Sequence, residues 1–200
     1  MVDLNTNGLP YSAATSRMKI LAISGSLRAA SLNTALLRAI VLLAPEDISI
    51  ELFTDLGNLP LFNPDLVSTA PPVVAGFRAQ LLAADAVMIA SPEYAHGVTG
   101  AMKNALDWMV GCEAFVNKPV ALLNASSRAI HAQASLKETL TVMSARLIED
   151  ASITVPILGS HLDLAGIVSS PRIAIVLGEM LVALQSAVVL FRAEEPLAML

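Results

Sequence analysis

Two short stretches concentrate the residue types that hold charged or planar ligands. The first is Gly25-Ser26-Leu27-Arg28-Ala29-Ala30-Ser31-Leu32-Asn33. It leads from an apolar run into a helical pattern, so it ends at a helix N-terminus, where free N–H groups and the helix dipole favour an anion. Ser26, Ser31 and Asn33 add neutral donors, and Arg28 adds a guanidinium fork matched to phosphate oxygens. The set makes a cradle for a phosphate monoester. The same residues also allow a plainer reading, with Ser31 as a helix cap and Arg28 as a surface charge. The dinucleotide pattern GxGxxG and the P-loop pattern GxxxxGK[ST] are both absent.

The second stretch is Ser91-Pro92-Glu93-Tyr94-Ala95-His96-Gly97-Val98-Thr99-Gly100. Pro92 stiffens it, Gly97 and Gly100 permit close approach or a positive φ, and Tyr94 offers an aromatic flank. Such a turn can line the polar edge of a flat ring. The alternative is a capped turn with a core tyrosine and a solvated glutamate. His96 has no histidine or cysteine at ligand spacing, and His131 and His161 are remote in sequence, so no metal site is expected. His96 reads as a loop histidine near a ligand mouth. A third stretch, Asn124-Ala125-Ser126-Ser127-Arg128, carries hydroxyls that would reach a ligand lying across the same end of the fold. Lys103 and Asp107, four apart, suit a weak surface pair. Cys112 has no neighbouring base and reads as packing.

The elements that must position these stretches follow from periodicity. Short apolar runs at Met18–Ser24, Ile48–Phe53, Asp85–Ser91, Pro119–Ala125 and Ala151–Val155 predict strands. Helical patterns cover Ser31–Ala44, Pro72–Ala83, Gly100–Val110 and Ile130–Leu147, and Pro171 opens a last helix. Pro92–Gly97 is expected to be a loop. Strands alternating with helices predict an α/β fold with a doubly wound, five-stranded parallel sheet in the order 2-1-3-4-5. Ligands in such sheets sit beyond the strands' carboxyl ends where the order reverses, between the first and third strands. The loops that emerge there are Gly25–Asn33 and Pro92–Gly97, the two picked out by their chemistry.

Composition narrows the class. The chain has 200 residues, 55% hydrophobic and 14% charged, which excludes a disordered protein. A net charge of −5 with no basic run argues against nucleic-acid and anionic-membrane partners. The single cysteine rules out an internal disulfide and fits a cytoplasmic location. Residues 1–17 are polar and lack a signal-peptide core, so they are expected to be a flexible leader, with one domain over 18–193 and a tail over 194–200. Ile173–Phe191 is roughly long enough to span a bilayer, but Gly178, Glu179, Gln185 and Ser186 interrupt it, which favours a packed helix. The apolar content also suggests self-association.

Taken together, GSLRAASLN and SPEYAHGVTGAMKNALDW, with PLFNPD at Pro60–Asp65 between them, resemble the NADPH-dependent FMN reductase family. The resemblance runs from Met18 to the middle of the 130–147 helix. It implies a flavodoxin-like fold, non-covalent FMN, and NADPH or NADH as co-substrate. It also implies a small-molecule electron acceptor (free flavin, a quinone, an azo compound or a metal oxyanion) and a homodimer or homotetramer. By the family's pattern, Ser26, Arg28, Ser31 and Asn33 would hold the FMN phosphate. Pro92, Glu93 and Tyr94 would line the isoalloxazine ring, and Ser126 and Ser127 would approach the flavin. The chemistry belongs to the cofactor, so no side-chain catalyst is expected. The chain departs from the pattern at Ala95, where the family often has Asn, and at Arg128–His131, where it often has glycines. The alternatives are a flavodoxin-type electron carrier and a nucleotide-binding Rossmann enzyme with Asp55 on the ribose. Hydrolase signatures GxSxG and HExxH are absent.

Overall fold

In the computed structural model, residues 17–194 are described. The expected leader lies outside them but for residue 17, and the expected tail but for residue 194. In chain order the elements are β1 (Met18–Ser24), α1 (Leu32–Leu43), β2 (Ile48–Phe53), α2 (Pro72–Ala83), β3 (Ala86–Ala90), β4 (Glu93–Tyr94), β5 (Gly97–Val98), α3 (Gly100–Met109), β6 (Pro119–Asn124), α4 (Ile130–Val142), β7 (Arg146–Leu147), β8 (Ile153–Thr154), α5 (Leu164–Ser169) and α6 (Pro171–Glu194).

The main sheet is parallel, in the order β2-β1-β3-β6, with β7 and β8 both on the far side of β6. This is the flavodoxin-like order. Every residue of β3 and β6 is buried, as expected when helices cover both faces. Alternate residues of each strand feed two cores. Ile20, Ala22, Met88 and Leu123 pack under α1, α5 and α6, while Leu21, Ile23, Val87, Ile89 and Leu122 pack under α2, α3 and α4.

The fifth strand differs from expectation. It comes as two pieces, β7 and β8, rather than one run over Ala151–Val155. The chain between them turns at Glu149–Ala151. There the Ser152 hydroxyl accepts from Leu122 N (3.0 Å) and donates to Ile148 O (2.8 Å), replacing a backbone rung of the ladder.

Helix α4 is also shorter than its apolar pattern. It ends at Val142 because Ser144 takes a left-handed φ of 61°. Ser144 N then bonds Thr141 O (2.9 Å) and Ala145 N bonds Leu140 O (3.0 Å), which is the Schellman closure. The expected Pro92–Gly97 loop is instead a small hairpin, β4 paired antiparallel with β5.

Helix α6 is long and apolar enough to cross a membrane. In the fold, its Leu177, Met180, Leu181, Leu184 and Val188 are buried against the sheet. Arg192 pairs with Asp85 at the start of β3, and Gln185 donates to Asp47 before β2.

Pro60–Asp65 is held down by α3. Asn104 donates to Pro60 O (2.9 Å) and accepts from Phe62 N (2.8 Å). Trp108 donates to the same Pro60 carbonyl (2.8 Å) and meets Phe62 edge-on. Lys103 and Asp107 form the expected surface pair.

Candidate functional site

The two singled-out loops leave β1 and β3, which are adjacent, and they touch at once. Gly25 N donates to Ala90 O (2.8 Å). A Cβ at Gly25 would stand 2.2 Å from Ser91 Oγ, so only glycine fits that crossing. Thr99, the N-cap of α3, donates its buried hydroxyl to Gly25 O (2.7 Å). One loop is thereby fastened to the other.

The first loop ends where Ser31 caps α1. Its Oγ accepts from Thr34 N (3.2 Å), and its O–H remains available to donate. The remaining first-turn amides of α1, those of Leu32 and Asn33, have no intrahelical partner, and no acidic residue sits in that turn. Ser24 and Thr34 share a 2.7 Å hydroxyl bond beneath. Asn33 is buried, and its Oδ1 accepts from Ala125 N (3.3 Å). That bond ties α1 to the exit of β6, and the Asn33 amide donors are left over.

In the second loop, the hairpin turns through Ala95 (φ 50°) and His96 (φ 61°). Neither Gly97 nor Gly100 takes the positive φ that their type permits. Two-residue turns with both φ positive favour Asn-Gly, so Ala-His stands here at a cost. Tyr94 is exposed on the rim rather than in the core. Glu93 is not a solvated charge. Its Oε2 accepts from Ala132 N (2.8 Å) in the first turn of α4, where the helix dipole favours a carboxylate.

In the third loop, Ser126 N donates to Asn124 Oδ1 (2.9 Å) and Ser126 Oγ accepts from Arg128 N (3.2 Å). The three loops enclose a cavity of about 360 Å³ at the carboxyl end of the sheet. Of the residues expected to line it, Ser26, Arg28, Ser31, Asn33, Pro92, Glu93, Tyr94 and Ser126 do so. Ser127 is exposed and is not in the lining.

Arg128 and Leu158 also line the cavity, and sequence reasoning assigned neither. Arg128 registered only as bulk, and Leu158 belongs to a stretch with no motif. Among the described residues neither Arg28 nor Arg128 makes a salt bridge. Two guanidinium groups outside any salt bridge and the N-terminus of a helix with no acid in its first turn therefore face one cavity.

Comparison with known proteins gives consistent relatives. The family described as NADPH-dependent FMN reductase matches residues 18–157. An NAD(P)H-dependent FMN reductase of Pseudomonas aeruginosa is 42% identical over 132 residues, covering 63% of this chain and 71% of that one. A 2-hydroxy-1,4-benzoquinone reductase of a Burkholderia species is 40% identical, covering 56% and 63%. An NADPH:quinone oxidoreductase of Arabidopsis thaliana is 42% identical, covering 54% and 57%. The match thus spans less than two thirds of the latter two relatives. Among solved structures, FerB, a flavoenzyme NAD(P)H:(acceptor) oxidoreductase of Paracoccus denitrificans, is similar with a TM-score of 0.75 at 26% identity, covering 85% of this chain and 97% of that one.

Proposed function

The chain belongs to the NADPH-dependent FMN reductase family, and on that premise we propose that it uses bound FMN to carry electrons from NAD(P)H to a small acceptor. It is an oxidoreductase of flavodoxin-like fold. The observation that carries the reading is the cavity: Arg28 and Arg128, neither in a salt bridge among the described residues, share it with the start of α1, whose first turn holds no acid. Glu93, the one carboxylate in the lining, is bound to Ala132 N.

The residues fit FMN. Arg28 and Arg128 would neutralise the phosphate, and the first amides of α1 would hold its oxygens. Ser31 donates its hydroxyl while still capping the helix. Asn33 would offer its amide donors and Ser26 its hydroxyl to the same phosphate, and Ser126 would approach the flavin from the loop after β6. Pro92, Glu93 and Tyr94, which line the cavity, would border the ring. Glu93 contributes by fixing the hairpin on α4, its carboxylate accepting from Ala132 N. Bound FMN supplies the redox chemistry, accepting electrons from NAD(P)H and releasing them to the acceptor. The protein's part would be to bind and orient the cofactor.

The relatives' names favour a quinone as acceptor. Self-association is supported by α6, where Ile175, Val182 and Val189 recur every seven residues and are each about 60% exposed. That stripe suits a second copy in a dimer or tetramer. A cytoplasmic location accords with the single cysteine.

The test is turnover with no partner protein present. FMN-loaded protein is expected to oxidise NADPH continuously when a benzoquinone is added. Loading without turnover would replace this reading with that of a flavodoxin-type electron carrier.

A further inference from the structure

His96 and His131 are distant in sequence, yet their rings meet edge-on with centroids 4.2 Å apart. Glu93 joins them, its Oε1 lying 3.4 Å from His96 Nδ1. One ligand atom from each of the three lies within 4.8 Å of the other two. We propose that Glu93, His96 and His131 form a binding site for a borderline divalent transition-metal ion of the Zn²⁺ class, with at least one coordination position left to solvent. The proposal goes beyond the flavin reading and does not depend on it, because it uses only these three side chains. It departs from the sequence expectation of no metal site, whose premise was the remoteness of His131 in sequence; the fold brings that residue beside His96.

The chemistry of the donors supports the assignment. Two imidazoles and one carboxylate are the ligand set of open, three-residue zinc sites. Bond lengths of about 2.0–2.2 Å put neighbouring donors of a tetrahedral shell roughly 3.3–3.5 Å apart. The Glu93–His96 pair already has that spacing. Both histidines are exposed, so their rings have room to turn toward a shared ion.

The surroundings pre-orient the ligands. Glu93 cannot swing away, because its other oxygen is held by Ala132 N at 2.8 Å. A ligating carboxylate is commonly fixed by such an outer hydrogen bond. His96 stands on a left-handed residue of the two-residue turn, where neither Asn nor Gly takes up the strain. His131 is in the first turn of α4, next to Ala132. An ion here would link the β4–β5 hairpin to α4 across the rim of the cavity.

The experiment is a calorimetric titration of Zn²⁺ into the EDTA-treated full chain, with and without FMN. The expected result is one Zn²⁺ per chain in both conditions, so a failure to retain FMN leaves this test intact. His96→Gln and His131→Gln should each weaken binding at least tenfold. Both side chains are exposed, so neither change disturbs the core. His161→Gln, at the chain's remaining histidine, should bind as the parent does. Absence of binding by the parent, or parent-like affinity in His131→Gln, would overturn the proposal.

Discussion

Arg28 and Arg128 reach one cavity from two different loops, and their worth can be stated. A hydrogen bond to a charged group contributes about 1.5–3 kcal/mol, so Arg28→Ala should weaken FMN binding by roughly 10- to 100-fold, as read from quenching of flavin fluorescence. Arg128→Ala should act in the same direction. Unchanged affinity in Arg28→Ala would remove the phosphate cradle from the account. Only one of the two was legible beforehand. Arg28 sits between a strand-end glycine and a helix start, and that local context carries its meaning. Arg128 has no such context, since its place in the cavity depends on where β6 ends relative to α1. The bond from Ala132 N to Glu93 and the meeting of His131 with His96 were obscure for the same reason: the partners are distant in sequence. Ser31 caps α1 and also lines the cavity, so the cap leaves room for the ligand role.

At the scale of elements, periodicity and proline placed the helices well. The helix at Pro72–Ala83 has the expected bounds, and Pro171 opens α6 as expected. What went unread were interruptions made without their usual residues. Helix α4 closes on Ser144 where glycine is customary. The hairpin turns on Ala95 and His96, and the fifth strand breaks where a serine hydroxyl replaces a ladder bond. None of these leaves a compositional mark. Helix α5 was missed because six residues are too few to show a period. The Schellman closure makes a prediction at this scale. A left-handed residue with a Cβ costs about 1–2 kcal/mol, so Ser144→Gly should raise the unfolding free energy by ~1 kcal/mol in urea denaturation. A loss of stability would contradict the assigned role of that turn.

At the scale of the molecule, the doubly wound order explains why the site lies where it does. Adjacent β1 and β3 send their loops to opposite layers, α1 on one and α3 on the other, and the crevice between them is what a ligand can enter. The outward stripe of α6 belongs to this scale too. Val182→Glu should shift the particle to a smaller mass in light scattering behind size exclusion, while a parent that is already monomeric would refute the assembly. The whole account rests on the cavity holding FMN. The most direct measurement is to incubate the purified chain with FMN, desalt it, and record its visible absorption spectrum. Flavin absorption travelling with the protein, bleached by NADPH in the absence of oxygen, is the predicted result. A folded protein that emerges colourless would contradict it.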